Sequence, residues 1–312
     1  MIKRIQNKVA ESRIALPVTT AYALGIWLIA GLITQGWWIP FVCAAGATYV
    51  MVELNNQNAL IRIYSRMVSC AFLVLSCASS FLFPSVRAAL GLFCFTTFLL
   101  LLFCTYQDKE SPAGTFYAFL MMGLASLVHV RVLYFIPLFW LFMQFKIQSL
   151  SWRTFFASIF GLILPYWFLI PYLLWKGDFT DVLDHFEQLG WVTFPFDYSQ
   201  LTMNQVLFYA LLVCVAMIGT VHYFRTRYKD KIRTRMIFDC FSITSWICIV
   251  LLALQPQHDT LLLPIMTTCV STLIAHFLAL TNTRWTNIAF FVITGATLIL
   301  TVFNLWIPSL HF

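Results

Sequence analysis

The side chains best suited to chemistry gather at the ends of apolar runs. Asp178, Asp181, Asp184, His185 and Glu187 share one polar stretch, while His129, Arg131, His258 and Asp259 interrupt or border long apolar segments. A carboxylate and a histidine near an arginine can serve as general base and phosphate clamp for a lipid-phosphate substrate. On that reading Asp178, Asp181, Asp184 and Glu187 are candidate catalytic residues. His129, Arg131, His185, His258 and Asp259 are then candidate substrate contacts. A solvated polar face with loop residues accounts for the same pattern. His129-Val130-Arg131 stands out by itself, because an ionisable pair inside so long an apolar run is a functional signal. Its plainer account is a tight turn with Arg131 reaching out to headgroups. In a third group, Glu53, Asn55, Asn56, Asn58, Arg62 and Arg66, Glu53 is expected to pair with Arg62 or Arg66.

Several chemistries lack their residues. No Walker A loop or dinucleotide fingerprint occurs. No histidine or cysteine spacing supports a metal, and no cofactor is expected. The nine cysteines all sit in or beside apolar runs without a C-x-x-C, which reads as small buried hydrophobes rather than a disulfide framework.

These candidates must be positioned by membrane helices. The chain has 312 residues, 61% hydrophobic and only 10% charged. So little charge cannot cover a globule in water, whereas lipid is a suitable solvent for it. The pattern predicts an all-α polytopic bundle of eleven spans: 14–34, 37–53, 64–83, 88–105, 114–128, 132–147, 154–175, 204–224, 237–254, 260–280 and 286–306. Residues 114–128 and 132–147 form either two spans or one kinked span.

Charge orients the scheme. One set of loops carries Lys3, Arg4, Lys8, Arg13, Arg62, Arg66, Lys109, Lys146, Arg153, Arg225, Arg227, Lys229, Lys231, Arg233, Arg235 and Arg284; the other carries Arg87, Arg131 and Lys176. The positive-inside rule then puts the N-terminus in the cytoplasm and the C-terminus outside. Merging the fifth and sixth segments would invert every later loop and expel residues 225–235, so the chain is expected to turn at His129. The net charge of +7 is thus an orientation signal and not a nucleic-acid one.

We expect a single transmembrane domain, 1–312, with three notable segments outside the bilayer. Residues 1–13 form a cytoplasmic amphipathic segment, with Ile2, Ile5 and Val9 on one face. Residues 176–203 form an external loop with a surface helix, and residues 225–235 a basic cytoplasmic loop that meets anionic lipid or docks a partner. Pro17, Pro137, Pro165, Pro171 and Pro264 are expected to kink their helices.

The segments Tyr106-Gln107-Asp108, Gly123-Leu124-Ala125-Ser126-Leu127, Tyr134-Phe135-Ile136-Pro137, Arg153-Thr154-Phe155 and Gly161-Leu162-Ile163-Leu164-Pro165-Tyr166 together resemble an uncharacterised family of integral inner-membrane proteins of Bacteroidota. That likeness implies a multi-pass place in the bacterial inner membrane. Residues 255–280, with His258-Asp259 ahead of Leu261-Leu262-Leu263-Pro264, are similar to the late helices of GT-C-class glycosyltransferases. This second likeness implies a polyprenyl-phosphate-linked sugar substrate at the outer face. That class keeps its catalytic carboxylate in a long first external loop. Gln35-Gly36-Trp37-Trp38 has no acid, so an acid of 178–187 would have to substitute. The expectation is an inner-membrane protein of cell-envelope biogenesis. Its molecular role is open among sugar transfer, transport of a lipid or small solute, and scaffolding of a membrane or cytoplasmic partner protein.

Overall fold

The computed structural model describes residues 4–176, 185–187, 189–190, 198 and 201–306. Its helices are α1 Ile5–Glu11, α2 Ala15–Ala30, α3 Trp38–Asn58, α4 Met67–Ala78, α5 Val86–Cys104, α6 Pro112–Val128, α7 Ile136–Phe145, α8 Trp152–Lys176, α9 Met203–Thr226, α10 Ile232–Leu254, α11 Asp259–Leu280 and α12 Arg284–Trp306. The protein is an all-α, multi-pass membrane helix bundle. Among the described residues, seven helices are long and apolar enough to cross a bilayer, and α1 with α2, bent by 89° at their break, would make an eighth.

Each of the eleven expected segments contains a helix, yet three fall short of a span: Met67–Ala78, Pro112–Val128 and Val130–Phe145. At 1.5 Å per residue, the 12 residues of α4 reach about 18 Å of a ~30 Å hydrocarbon core. Seven to eight candidate spans therefore replace the expected eleven.

The fifth and sixth segments are two helices. After α6 the chain passes through His129 and a 3-10 turn, Val130–Phe135, before α7. Gln107 N–H donates to the Ile147 carbonyl at 2.8 Å, and Ser151 Oγ donates to the Lys109 carbonyl at 2.9 Å. The start of α6 and the finish of α7 thus lie side by side, so the chain goes out and comes back.

Contacts between helix termini define two ends of the bundle. At one end, Arg62 beyond α3 meets Asp230, Arg233 donates to Asn58 and to the Phe103 carbonyl, and Gln6 of α1 donates to the Leu278 carbonyl. The loops holding most of the basic residues converge here, so we call it the basic end. At the far end, Asn304 of α12 donates to the Ala78 carbonyl, Trp27 stacks on Phe83 at 3.7 Å, and Arg131 meets His258.

At the centre stands α11, buried at every residue from Leu261 to Ala279. Its small polar side chains tolerate this because Thr268, Ser271 and Thr272 return their hydroxyls to carbonyls one turn back. Around it pack α4, α5, α9 and α10. Glycines set the closest approaches. A Cβ on Gly161 would lie 2.5 Å from the Phe116 carbonyl oxygen, and one on Gly123 2.8 Å from that of Leu162. This small-residue contact joins α6 to α8. Both glycines fall in the segments that carry the first resemblance.

Three local expectations are revised. Arg62 pairs with Asp230, Arg66 donates to Asn56, and Glu53 accepts from Gln57, so Glu53 pairs with neither arginine. The polar face of α1 is docked rather than solvated, with Gln6 and Asn7 buried against α11 and the residues after it. Ile5, 54% exposed, points away. Among the prolines, only Pro165, Pro171 and Pro264 are interior to their helices; Pro137 occupies the first turn of α7, where its missing N–H costs nothing. All nine cysteines are free thiols.

Candidate functional site

The far end brings together four candidates from distant parts of the chain. Arg131, in the turn after α6, stands 2.8 Å from His258 Nδ1, just before α11. A guanidinium only donates, so His258 accepts through Nδ1, and its neutral ring carries the proton on Nε2. That Nε2 is buried and has no hydrogen-bond partner. His129 lies within electrostatic reach of His258, and its Cδ2 packs 3.6 Å from where a Gly91 Cβ would be. His129 Nε2 is likewise buried without a partner. Burial, and then the Arg87 charge, lowers the His129 pKa to about 4, so the ring is neutral at physiological pH.

Asp259 belongs to the same end but is already committed. Its Oδ2 accepts from Gln205 Nε2 at 2.6 Å, and its Oδ1 from its neighbour's backbone, Thr260 N–H, at 2.7 Å. Gln205 is in turn set by a capping box with Thr202 at the start of α9. Asp259 therefore ties α9 to α11.

His185 docks elsewhere on this end. Its ring donates to the Ser126 carbonyl at 3.0 Å, while Ser126 Oγ and Tyr166 OH are 2.8 Å apart. This fastens the polar segment to α6 and α8. Glu187, two residues on, is exposed. Asp178, Asp181 and Asp184 lie outside the described residues, as do most of 176–203 and the C-terminal residues 307–312.

The strongest electrostatic constellation is at the other end, and sequence reasoning passed over its centre. Asp230 sits amid the basic run Arg225–Arg235, yet its side chain is fully buried between Arg62 at 3.0 Å and His276 at 3.2 Å. Asp239, two turns into α10, takes Lys146 at 2.6 Å, Arg227 at 3.7 Å and the Tyr223 hydroxyl at 2.7 Å. Arg235 Nε donates to the Asp230 carbonyl. The basic loop is thus held by its own chain, with two buried acids as its anchors. The available signal was a lone acid inside a run of cations, which has little reason to be there unless it pairs. Among the described residues, no group of three or more histidines, cysteines or acids is placed to hold a metal.

No family model matches this chain, and neither a curated protein nor a solved structure does.

Proposed function

We propose that this protein binds a phosphate-bearing lipid at its far end, with Arg131, His258 and His129 around the phosphate. The observation that carries the reading is the Arg131–His258 contact, which leaves the ring proton on a buried Nε2 that has no partner, a second donor in addition to the guanidinium. Two cavities among the described residues are lined mainly by apolar side chains, which favours a lipid over a water-soluble cargo. By the positive-inside rule the basic end faces the cytoplasm of a bacterial inner membrane, and the far end faces outward. A lipid-linked precursor presented there belongs to cell-envelope biogenesis. Sugar transfer from a polyprenyl phosphate, as the GT-C resemblance implies, is the finer form of the same reading, with Asp178, Asp181, Asp184 or Glu187 as base.

The test measures binding of farnesyl phosphate, with farnesol as the control, to the purified protein by tryptophan fluorescence. The wild type binds the phosphate in preference to the alcohol. Arg131→Gln and His258→Ala each weaken phosphate binding by about tenfold and leave farnesol unchanged. Equal binding of phosphate and alcohol, or unaltered binding in both variants, would remove the proposal. For the transferase form, a deletion strain accumulates polyprenyl-linked sugars, which the wild-type gene clears and acid substitutions in 178–187 do not.

A further inference from the structure

We infer that the protein also holds one anionic phospholipid at its basic end, with an acyl chain in a groove between α2 and α12 and the phosphate near Arg13 and Arg66. The groove encloses about 350 Å³. Its walls include Val18 and Thr19 of α2, Cys70 and Val74 of α4, and Phe290 and Ile293 of α12. It is distinct from the far-end cluster and does not depend on it.

Its depth suits one leaflet. Along α4 the lining runs from Met67 to Leu75, a rise of about 12 Å. Half of a hydrocarbon core is about 15 Å. An acyl chain that enters from the basic end would therefore finish near the bilayer midplane. Apolar walls inside a spanning bundle exclude water, so a hydrocarbon chain is the occupant these surfaces solvate.

The mouth selects for negative charge. There α1 turns 89° away from α2, and it is fixed in that attitude by Gln6 and Asn7, so the break at Ser12–Ile14 stays open. Lys8 and Arg13 flank the break, and both are exposed. Arg66 directly precedes Met67 and acts electrostatically on Cys70 in the groove wall. Both α2 and α4 begin at this mouth with no acid in the first turn and no cap bond from the N-cap side chain itself, although Ser12 Oγ accepts from Ile14 N–H and Ser65 Oγ from Met67 N–H. Their positive dipole ends add to the three cations, which outnumber the one acid at the break, Glu11. A zwitterionic headgroup would gain less from this field than a phosphatidylglycerol headgroup.

The experiment uses the full chain in vesicles that contain a trace of either phosphatidylglycerol or phosphatidylcholine, each with a diazirine in one acyl chain. After irradiation, labelled peptides are located by mass spectrometry. The anionic probe is expected to label residues 67–75 and 290–297 about fivefold more than the choline probe. In Arg13→Gln/Arg66→Gln that preference disappears while labelling of the lipid-facing side of α8 is unchanged. If the double variant fails to fold, Arg13→Gln alone is expected to halve the preference. Val74→Trp fills the groove and removes its labelling by both probes. Equal labelling by the two probes in the wild type, or undiminished groove labelling in Val74→Trp, would overturn the inference.

Discussion

Lys146 and Asp239 are 93 residues apart in the chain and 2.6 Å apart in the structure. Their contact ties the finish of α7 to the start of α10, and Tyr223 and Arg227 bring in the end of α9. One carboxylate thus gathers three helices at the basic end. Breaking a buried pair leaves a charge without its partner, at a cost of about 3–5 kcal/mol. Arg227 and Tyr223 still serve Asp239, so Lys146→Met is expected at or below the lower limit, about 1–3 kcal/mol. Lys146→Met/Asp239→Leu, which removes both charges, is expected to be more stable than Asp239→Leu alone. Thermal unfolding in detergent measures all three.

The glycine contact between α6 and α8 makes a sharper steric prediction. Gly161→Ala places a methyl 2.5 Å from the Phe116 carbonyl oxygen, and rigid backbone cannot give way as a side chain would. The expected loss is about 1–3 kcal/mol. Gly25→Ala, in α2 with nothing within 4 Å of the new Cβ, is expected to be neutral or slightly stabilising. Comparable melting temperatures for the two variants would contradict this account.

A pH effect follows from His129. Its pKa is lowered to about 4 from the usual 6.5, so the folded state resists the proton that the unfolded chain accepts. This contribution to stability is complete above about pH 6.5 and is lost as pH falls toward 4. Burial first and then the Arg87 charge oppose its protonation. The difference between wild type and His129→Gln is expected to shrink steadily between pH 6.5 and 4, which removes titrations common to both proteins. A constant difference across that window would exclude His129 as the source.

Sidedness can be read with a membrane-impermeant maleimide. In a Cys104→Ser/Cys214→Ser background, the two exposed thiols are gone. Tyr228→Cys at the basic end is then expected to react only after spheroplasts are permeabilised, and Ser85→Cys at the far end to react without it. The reverse pattern would invert the proposed orientation, and labelling of both from one side would contradict the two-ended arrangement.

Much of the architecture could be read from one dimension. Hydrophobic runs located every long helix, because a backbone in lipid must satisfy its own hydrogen bonds and a helix does so within a single segment. Basic residues sorted the loops into two sets, and contacts such as Gln107 with Ile147 and Arg62 with Asp230 join loops of the same set. Arg131 and His258 were both legible as candidates, since each is a costly residue at the border of an apolar run. What sequence alone could not give was pairing. Arg62 had Glu53 only nine residues before it, yet it pairs with Asp230, and Asp259 was spent on Gln205. Those choices depend on which helix faces meet and which atoms lose water when they do. Nearness along the chain carries almost no information about either, so helix length and the identity of every ion pair were decided by the tertiary packing around α11.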